Sequence, residues 1–274
     1  MEFFFDTPLY HFYALGLGLI IGSFVNVFLY RFHTGRSLNG SSHCLSCQKP
    51  LVWYELIPVF SYLALRGRCR QCGSYIPVRY ALVETMVGAA FLAASYLAAP
   101  IVTQLVTALF CTVLVAVAVY DMYHTIIPDE FSVTLSILAA LFVVLASPLG
   151  FQGLITAFLG GLAAAGPFLF LWAISQGRWI GLGDSKLAFP LGMWVGLSGV
   201  ASLILLSFWI GAALSVLLLG VQRMLRRGKI DLRLFGRPLT MKSEIPFAPF
   251  LIVAFVLVEF FAADALSYIS YVLW

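Results

Sequence analysis

Apolar residues along this chain come in long blocks separated by short polar connectors. Eight blocks stand out, at roughly 9–30, 79–98, 101–120, 131–147, 153–175, 187–198, 200–222 and 247–272. Crossing a hydrocarbon core of about 30 Å as a helix takes roughly 20 apolar residues, and most blocks meet that length. The fourth lies near the lower limit. The sixth is short and carries Pro190, so it is expected to kink or to reach only partway across. Strand is a poor alternative, because backbone groups in lipid must be satisfied internally and the blocks lack the apolar–polar alternation of a barrel. Ala99-Pro100, Ser147-Pro148-Leu149-Gly150 and Gly196-Leu197-Ser198-Gly199 read as turns between blocks. The pattern predicts an all-α polytopic membrane protein with about eight transmembrane helices.

Composition agrees on the solvent. Of 274 residues, 62% are hydrophobic and only 10% charged, where a soluble domain carries about a quarter charged. All 16 Lys and Arg fall in three places: seven in Arg31–Arg79, two at Arg178 and Lys186, and seven in Arg223–Lys242. With eight spans, those segments and the Asp121–Glu130 connector face one side, and the opposite connectors carry no Lys or Arg. The positive-inside rule makes the polar loops cytoplasmic and places both termini outside. The first block follows Glu2 and Asp6, not a basic segment, and lacks a clear small-residue cleavage site. It is therefore read as a retained span instead of a cleavable signal. A net charge of +4 suits orientation and attraction to membrane lipid headgroups. It carries no nucleic-acid signature, since no basic face is interleaved with exposed aromatics. The spacings Gly18-x3-Gly22 and Gly192-x3-Gly196 are read as close helix packing within one bundle. Three regions result: a first transmembrane helix over 1–30, a cytoplasmic region over 31–78, and a transmembrane bundle over 79–274.

The cytoplasmic region carries Cys44-x2-Cys47 and Cys69-x2-Cys72, with 21 residues between the pairs. Four thiolates at this spacing can converge on a tetrahedral zinc, as in zinc ribbons. A reducing cytoplasm disfavours disulfides, and an all-thiolate set suits a closed structural site. Gly67 and Gly73 suit the tight turns of a metal knuckle. Four unligated cysteines or a redox pair are the alternatives. Cys111 lies inside a span and reads as a small buried apolar residue. The apolar and aromatic stretch Leu51–Leu63 is too short to span freely and is placed at the membrane interface, with Trp53 and Tyr54 at headgroup level.

Among the 12 acids, position separates the ordinary from the informative. Glu2, Asp6 and Asp264 sit near the outer side; Asp231 and Glu244 lie in or beside a basic loop; Glu55 is interfacial. Glu84 and Glu259 lie in or at the edge of spans, where an ionisable group is by default functional or paired; for Glu84, five residues after Arg79, a structural pairing or a neutral buried acid stands beside a chemical role. Asp121 ends the third span and Asp184 begins the sixth, both on the predicted cytoplasmic side. They are positioned to face one another. Two carboxylates a few ångströms apart cannot both ionise comfortably, so such a pair shares a proton and titrates as a unit. It can hold a water, deprotonate it for attack on a peptide carbonyl, and protonate the leaving amine. Asp129, after Pro128, stands where a helix N-cap carboxylate belongs, and His124 reads as a solvated loop residue. Asp184 lies in Gly181-Leu-Gly183-Asp184-Ser-Lys186, where a phosphate loop, a helix cap and half of a catalytic pair compete. The phosphate loop fails, since no GxxxxGK[ST] arrangement or preceding strand is present. The two glycines are expected to allow φ > 0 and close approach of a substrate backbone. Lys186 is read as an orienting cytoplasmic charge.

Several motifs in order resemble those of the bacterial type IV prepilin peptidases, polytopic aspartic proteases of the GxGD type. They are Gly22-Ser-Phe-Val-Asn-Val-Phe-Leu-Tyr-Arg31, both cysteine pairs, Arg68-Cys-Arg-Gln-Cys72 with Arg79-Tyr-Ala-Leu-Val-Glu84, Asp121-x6-Pro128-Asp129, Gly181–Lys186 and Ile245-Pro-Phe-Ala-Pro-Phe250. Ala248 stands where many members have glycine. The resemblance implies that Asp121 and Asp184 are the catalytic aspartates and Asp129 a support residue. It implies cleavage of the short basic leader of prepilins or pseudopilins, substrates that continue into an apolar helix. N-methylation of the new amino terminus with S-adenosylmethionine follows, in the inner membrane of a bacterium that builds type IV pili or runs type II secretion. No glycine-rich loop marks the S-adenosylmethionine residues. A non-enzymatic assembly factor with a zinc loop for docking is the main alternative. An ion-coupled transporter ranks below it, because its carboxylates would lie near mid-membrane in broken helices.

Overall fold

The structure is a computed structural model that describes residues 7–34, 37, 39–146, 150–227, 233–234, 237–238 and 246–265. Helix follows the apolar blocks. The helices are α1 (Pro8–Arg31), α2 (Phe60–Ala64), α3 (Arg79–Ser95), α4 (Ile101–His124), α5 (Asp129–Ala146), α6 (Phe151–Ser175), α7 (Leu182–Arg227) and α8 (Ala248–Phe261). A 3-10 turn, Trp53–Leu56, precedes α2, and two-residue strands β1 (Arg233–Leu234) and β2 (Arg237–Pro238) pair antiparallel. Among the described residues, five helices are long and apolar enough to cross a membrane: α1, α4, α5, α6 and α7. The second and eighth predicted spans appear as α3, of 17 residues, and α8, of 14. The end of the eighth, the Ser147-Pro148-Leu149 turn residues, and Glu2, Asp6, Asp231 and Glu244 lie outside the described residues.

The chain forms two compact units, Met1–Val119 and Tyr120–Trp274. The first extends past the boundary expected at residue 78, because α3 is seated on α1. A Cβ added at Gly18 would stand 2.7 Å from Phe91 Cβ, and one at Gly22 would stand 2.7 Å from Glu84 Cα. The Gly18-x3-Gly22 spacing thus lets two backbones touch, as expected. Asn26 Nδ2 donates to Tyr80 O at 3.0 Å near one end of this pair. Toward the other end, His11 bonds Ser95 Oγ at 2.8 Å and stacks on Tyr96.

In the second unit, α7 is not one rod. Its backbone leaves helical geometry at Gly196, φ 68° and ψ 173°. The contacts of α8 show which way each arm runs. Phe247, beside the start of α8, meets Phe208; Phe250 meets Gly211; Val258 meets Gly199; and Asp264 accepts a hydrogen bond from Ser202 Oγ at 2.8 Å. The arm after Gly196 is therefore antiparallel to α8. The arm before it reaches Trp194 against Phe255, having begun at Asp184, so it runs the same way as α8. The two arms form a hairpin, and the sixth and seventh predicted spans are its legs. The break falls at Gly196, with Pro190 kept inside helix, which corrects the expectation of a kink at the proline. It also divides the Gly192-x3-Gly196 pair. Gly192 packs against Gly160 and Ala164 of α6, where an added Cβ would stand 2.4 Å from Ala164 Cβ, whereas Gly196 has open space around it and supplies a left-handed turn.

Candidate active site and metal centre

Asp121 sits in the last turn of α4 and Asp184 in the first turn of α7. Both belong to the second compact unit and both are buried, 6% and 9% exposed. The two carboxylates are close enough that the charge of Asp121 acts on Asp184. Each is aimed by a backbone N–H. The Ala248 N–H at the start of α8 points at Asp121, so the positive end of a helix faces a carboxylate. The Gly181 N–H points at Asp184, while the Asp184 N–H returns a bond to Gly181 O at 3.2 Å. Asp184 is thus the N3 residue of α7 reaching back to its own N-cap, which is half of a capping box. The cap and the paired-acid alternatives describe the same side chain: the cap orients the carboxylate on which the Asp121 charge acts. Asp121 Oδ2 is buried with no hydrogen-bond partner among the described residues.

The glycines of this loop act differently from expectation. Neither Gly181 nor Gly183 has positive φ. Their use is clearance: a Cβ at Gly183 would press on Ile127 Cβ at 3.2 Å, and one at Gly181 would stand 3.6 Å from Asp184 Oδ2. Ile127 is 6% exposed, so the connector between α4 and α5 lies directly on the α7 start. Asp129 opens α5 in its first turn, as predicted, and ion-pairs with Lys186 at 2.5 Å. Lys186 therefore does more than mark a side, since it links the first turns of α7 and α5 beside the acids through an exposed ion pair. His124 ends α4, exposed and stacked on Tyr120.

The four cysteines lie in the first unit, where Cys44, Cys47, Cys69 and Cys72 place all Sγ atoms within 4.8 Å of one another. A tetrahedral zinc with bonds of about 2.3 Å needs sulfurs roughly 3.8 Å apart, and Cys44 Sγ and Cys72 Sγ are 3.8 Å apart. Two matching knuckles build the set. The Cys44 N–H donates to Lys49 O and the Gln48 N–H to Cys44 O; likewise the Cys69 N–H donates to Ser74 O and the Gly73 N–H to Cys69 O. Isolated bridges His43–Pro50 and Arg68–Tyr75 close both. The fifth residue of each is left-handed, Gln48 at φ 58° and Gly73 at φ 70°. Backbone N–H groups of Cys47 and Ser46 hold the Cys44 thiol down to about 6. Cys47, despite the Lys49 N–H, is pushed up to about 11 by desolvation and by Cys44 and Cys72. A cation is what lets four such sulfurs ionise together, so the donor set fits zinc.

Two family models match the chain. The Bacterial Peptidase A24 N-terminal domain covers residues 17–98 and the Type IV leader peptidase family covers 108–216. A prepilin leader peptidase/N-methyltransferase of Klebsiella pneumoniae is 33% identical over 184 residues, 62% of this chain and 78% of the relative. The chain belongs to the type IV leader peptidase family. Relatives with the same name from Myxococcus xanthus (strain DK1622) and Pectobacterium carotovorum subsp. carotovorum are 36% and 32% identical. The first alignment covers 66% of this chain and 54% of the relative, the second 66% and 73%. The chain thus spans about half the length of the Myxococcus leader peptidase. No solved structure matches it. In this family member, sequence reasoning missed the Ala248 N–H and the Ile127 wedge. A backbone donor has no side-chain signature, although Pro249 just after it marks a helix start.

Proposed function

We propose that this chain is a membrane-embedded aspartic endopeptidase that removes the basic leader of type IV prepilins or pseudopilins, then N-methylates the new amino terminus. The meeting of buried Asp121 and Asp184 carries the peptidase half. One carboxylate takes a proton from a water held between them as the water attacks the scissile carbonyl; the other, protonated, gives its proton to the leaving nitrogen. The unpaired Asp121 Oδ2 is the acceptor for that water. Asp129 and Lys186 set the approach of α5 and α7 and do not touch the reacting atoms. Cys44, Cys47, Cys69 and Cys72 would hold a structural zinc that fixes the loop module. S-adenosylmethionine supplies the methyl group. The one-sided Lys and Arg distribution supports an inner-membrane enzyme with its polar loops and acids toward the cytoplasm.

The test incubates purified enzyme with a candidate prepilin and S-adenosylmethionine, then weighs the product. Leader loss and one added methyl are separate mass changes. Asp121→Asn and Asp184→Asn should each lower cleavage by about 10²–10⁴-fold, the range of lost acid–base catalysis, in protein that still inserts. Full cleavage by either variant would remove that residue from the pair. Binding without any cleavage by the unaltered enzyme would favour the assembly-factor alternative.

A further inference from the structure

The first compact unit contains a cavity of about 690 Å³, a size that suits small-molecule ligands of roughly 300–1,000 Å³. Its walls include Asn26 and Tyr30 of α1, Tyr62 of α2, and Tyr80 and Glu84 of α3. Both signs of charge line it: Arg31, which donates to Ser37 O and Asn39 O, and Arg70, which donates to the Tyr54 hydroxyl, stand in the same wall as Glu84. Glu84 is 8% exposed, and its carboxylate accepts the Val59 N–H at 2.7 Å and the Ser23 hydroxyl. Those neutral donors use two of its roughly four acceptor positions. The Arg79 guanidinium lies over the Tyr80 ring. The partners of Glu84 among the described residues are neutral, and an ionised carboxylate so buried carries a desolvation penalty that a cationic ligand would offset. The Val59 N–H reaches Glu84 from a backbone at φ 60°, ψ −50°, an outlier for a β-branched residue. Such strain, of order 1–3 kcal/mol, gathers at ligand clamps.

We propose that this cavity is the S-adenosylmethionine site, with Glu84 against the cationic methionine end of the donor and Tyr30, Tyr62 and Tyr80 around its adenine. The assignment rests on the methyltransferase activity proposed above. S-adenosylmethionine carries a sulfonium close to an ammonium, so one carboxylate serves two positive centres. Aromatic faces favour both a cation and a flat base. Asn26, 7% exposed, anchors the Tyr80 backbone at the wall through its bond to Tyr80 O.

Binding is measured directly, by titration calorimetry of the full chain in lipid nanodiscs with S-adenosylmethionine and with its uncharged-sulfur product, S-adenosylhomocysteine. An 8-azidoadenosyl analogue is also photocrosslinked to the unaltered protein and mapped by mass spectrometry. Glu84→Gln should weaken S-adenosylmethionine at least about tenfold and the product clearly less, because the lost charge meets the sulfonium. Crosslinks should fall on cavity residues. If the donor binds but labels elsewhere, and Glu84→Gln leaves the donor-to-product preference intact, the cavity assignment is overturned while the methyltransferase reading stands. If zinc-loaded, unaltered protein does not bind the donor, both are overturned. The crosslink map decides the matter even if Glu84→Gln fails to fold.

Discussion

At the scale of single residues, the two cysteine knuckles offer a controlled comparison. They share hydrogen bonds and a left-handed fifth position, filled by Gly73 in one and Gln48 in the other. A side chain in that conformation costs about 1–2 kcal/mol. Gln48→Gly should therefore stabilise the module by about 0.5–1 kcal/mol after loss of the exposed Gln48 bond to Leu45 O, seen as slower zinc release to a chelating dye. An unchanged or faster release would refute the strain account. The same assay reads pH. The Cys44 thiol lies below its ordinary value, so its contribution is in place at higher pH and is lost as pH falls through about 6. Bound zinc itself holds the thiolates, so release should set in as pH falls below that value and protons compete for the ligands. The sequence showed these four cysteines openly as candidate ligands, because thiolate chemistry depends on residue type and spacing. It did not show the Ala248 N–H or the Val59 N–H that Glu84 accepts, which depend on contacts between distant segments.

At the scale of elements, the packing of α6 on α7 is set by glycine. A Cβ at Gly192 would collide with Ala164 Cβ and with Gly160 O at 2.5 Å, whereas one at Gly166 meets nothing within 4 Å. Gly192→Ala should destabilise by about 1–3 kcal/mol, the range of overpacked cores, and should slow cleavage by spreading the α7 leg that carries Asp184. Gly166→Ala should be neutral or stabilise by up to about 1 kcal/mol. Thermal unfolding of both variants in the same detergent checks the pair, and equal effects would contradict the packing geometry. Block lengths revealed the legs of α7, but not where they part. Pro190 looked like the interruption, yet helix tolerates it, and the chain turns where a residue without a side chain can take φ 68°.

At the scale of the whole molecule, charge asymmetry makes a topological prediction. Thr125, between α4 and α5, should face the cytoplasm, and Ser198, beside the α7 turn, the other side. A membrane-impermeant maleimide should label Ser198→Cys in spheroplasts and reach Thr125→Cys only after lysis. The reverse pattern would invert the orientation and place the acids on the wrong side for a cytoplasmic leader. Fold class was legible because lipid as solvent acts on composition alone, and the orientation read from the positive-inside rule is what the labelling tests. The division into compact units was not, because it depends on which helix α3 packs against.

The unpartnered Asp121 Oδ2 has a pharmacological consequence. That oxygen is the proposed seat of the attacking water, so a compound that presents one hydroxyl there exchanges its hydrogen bond for the water's. The useful group is a neutral donor on an extended backbone, and inhibitors lacking only that hydroxyl should bind about 2- to 10-fold more weakly, the net worth of one hydrogen bond.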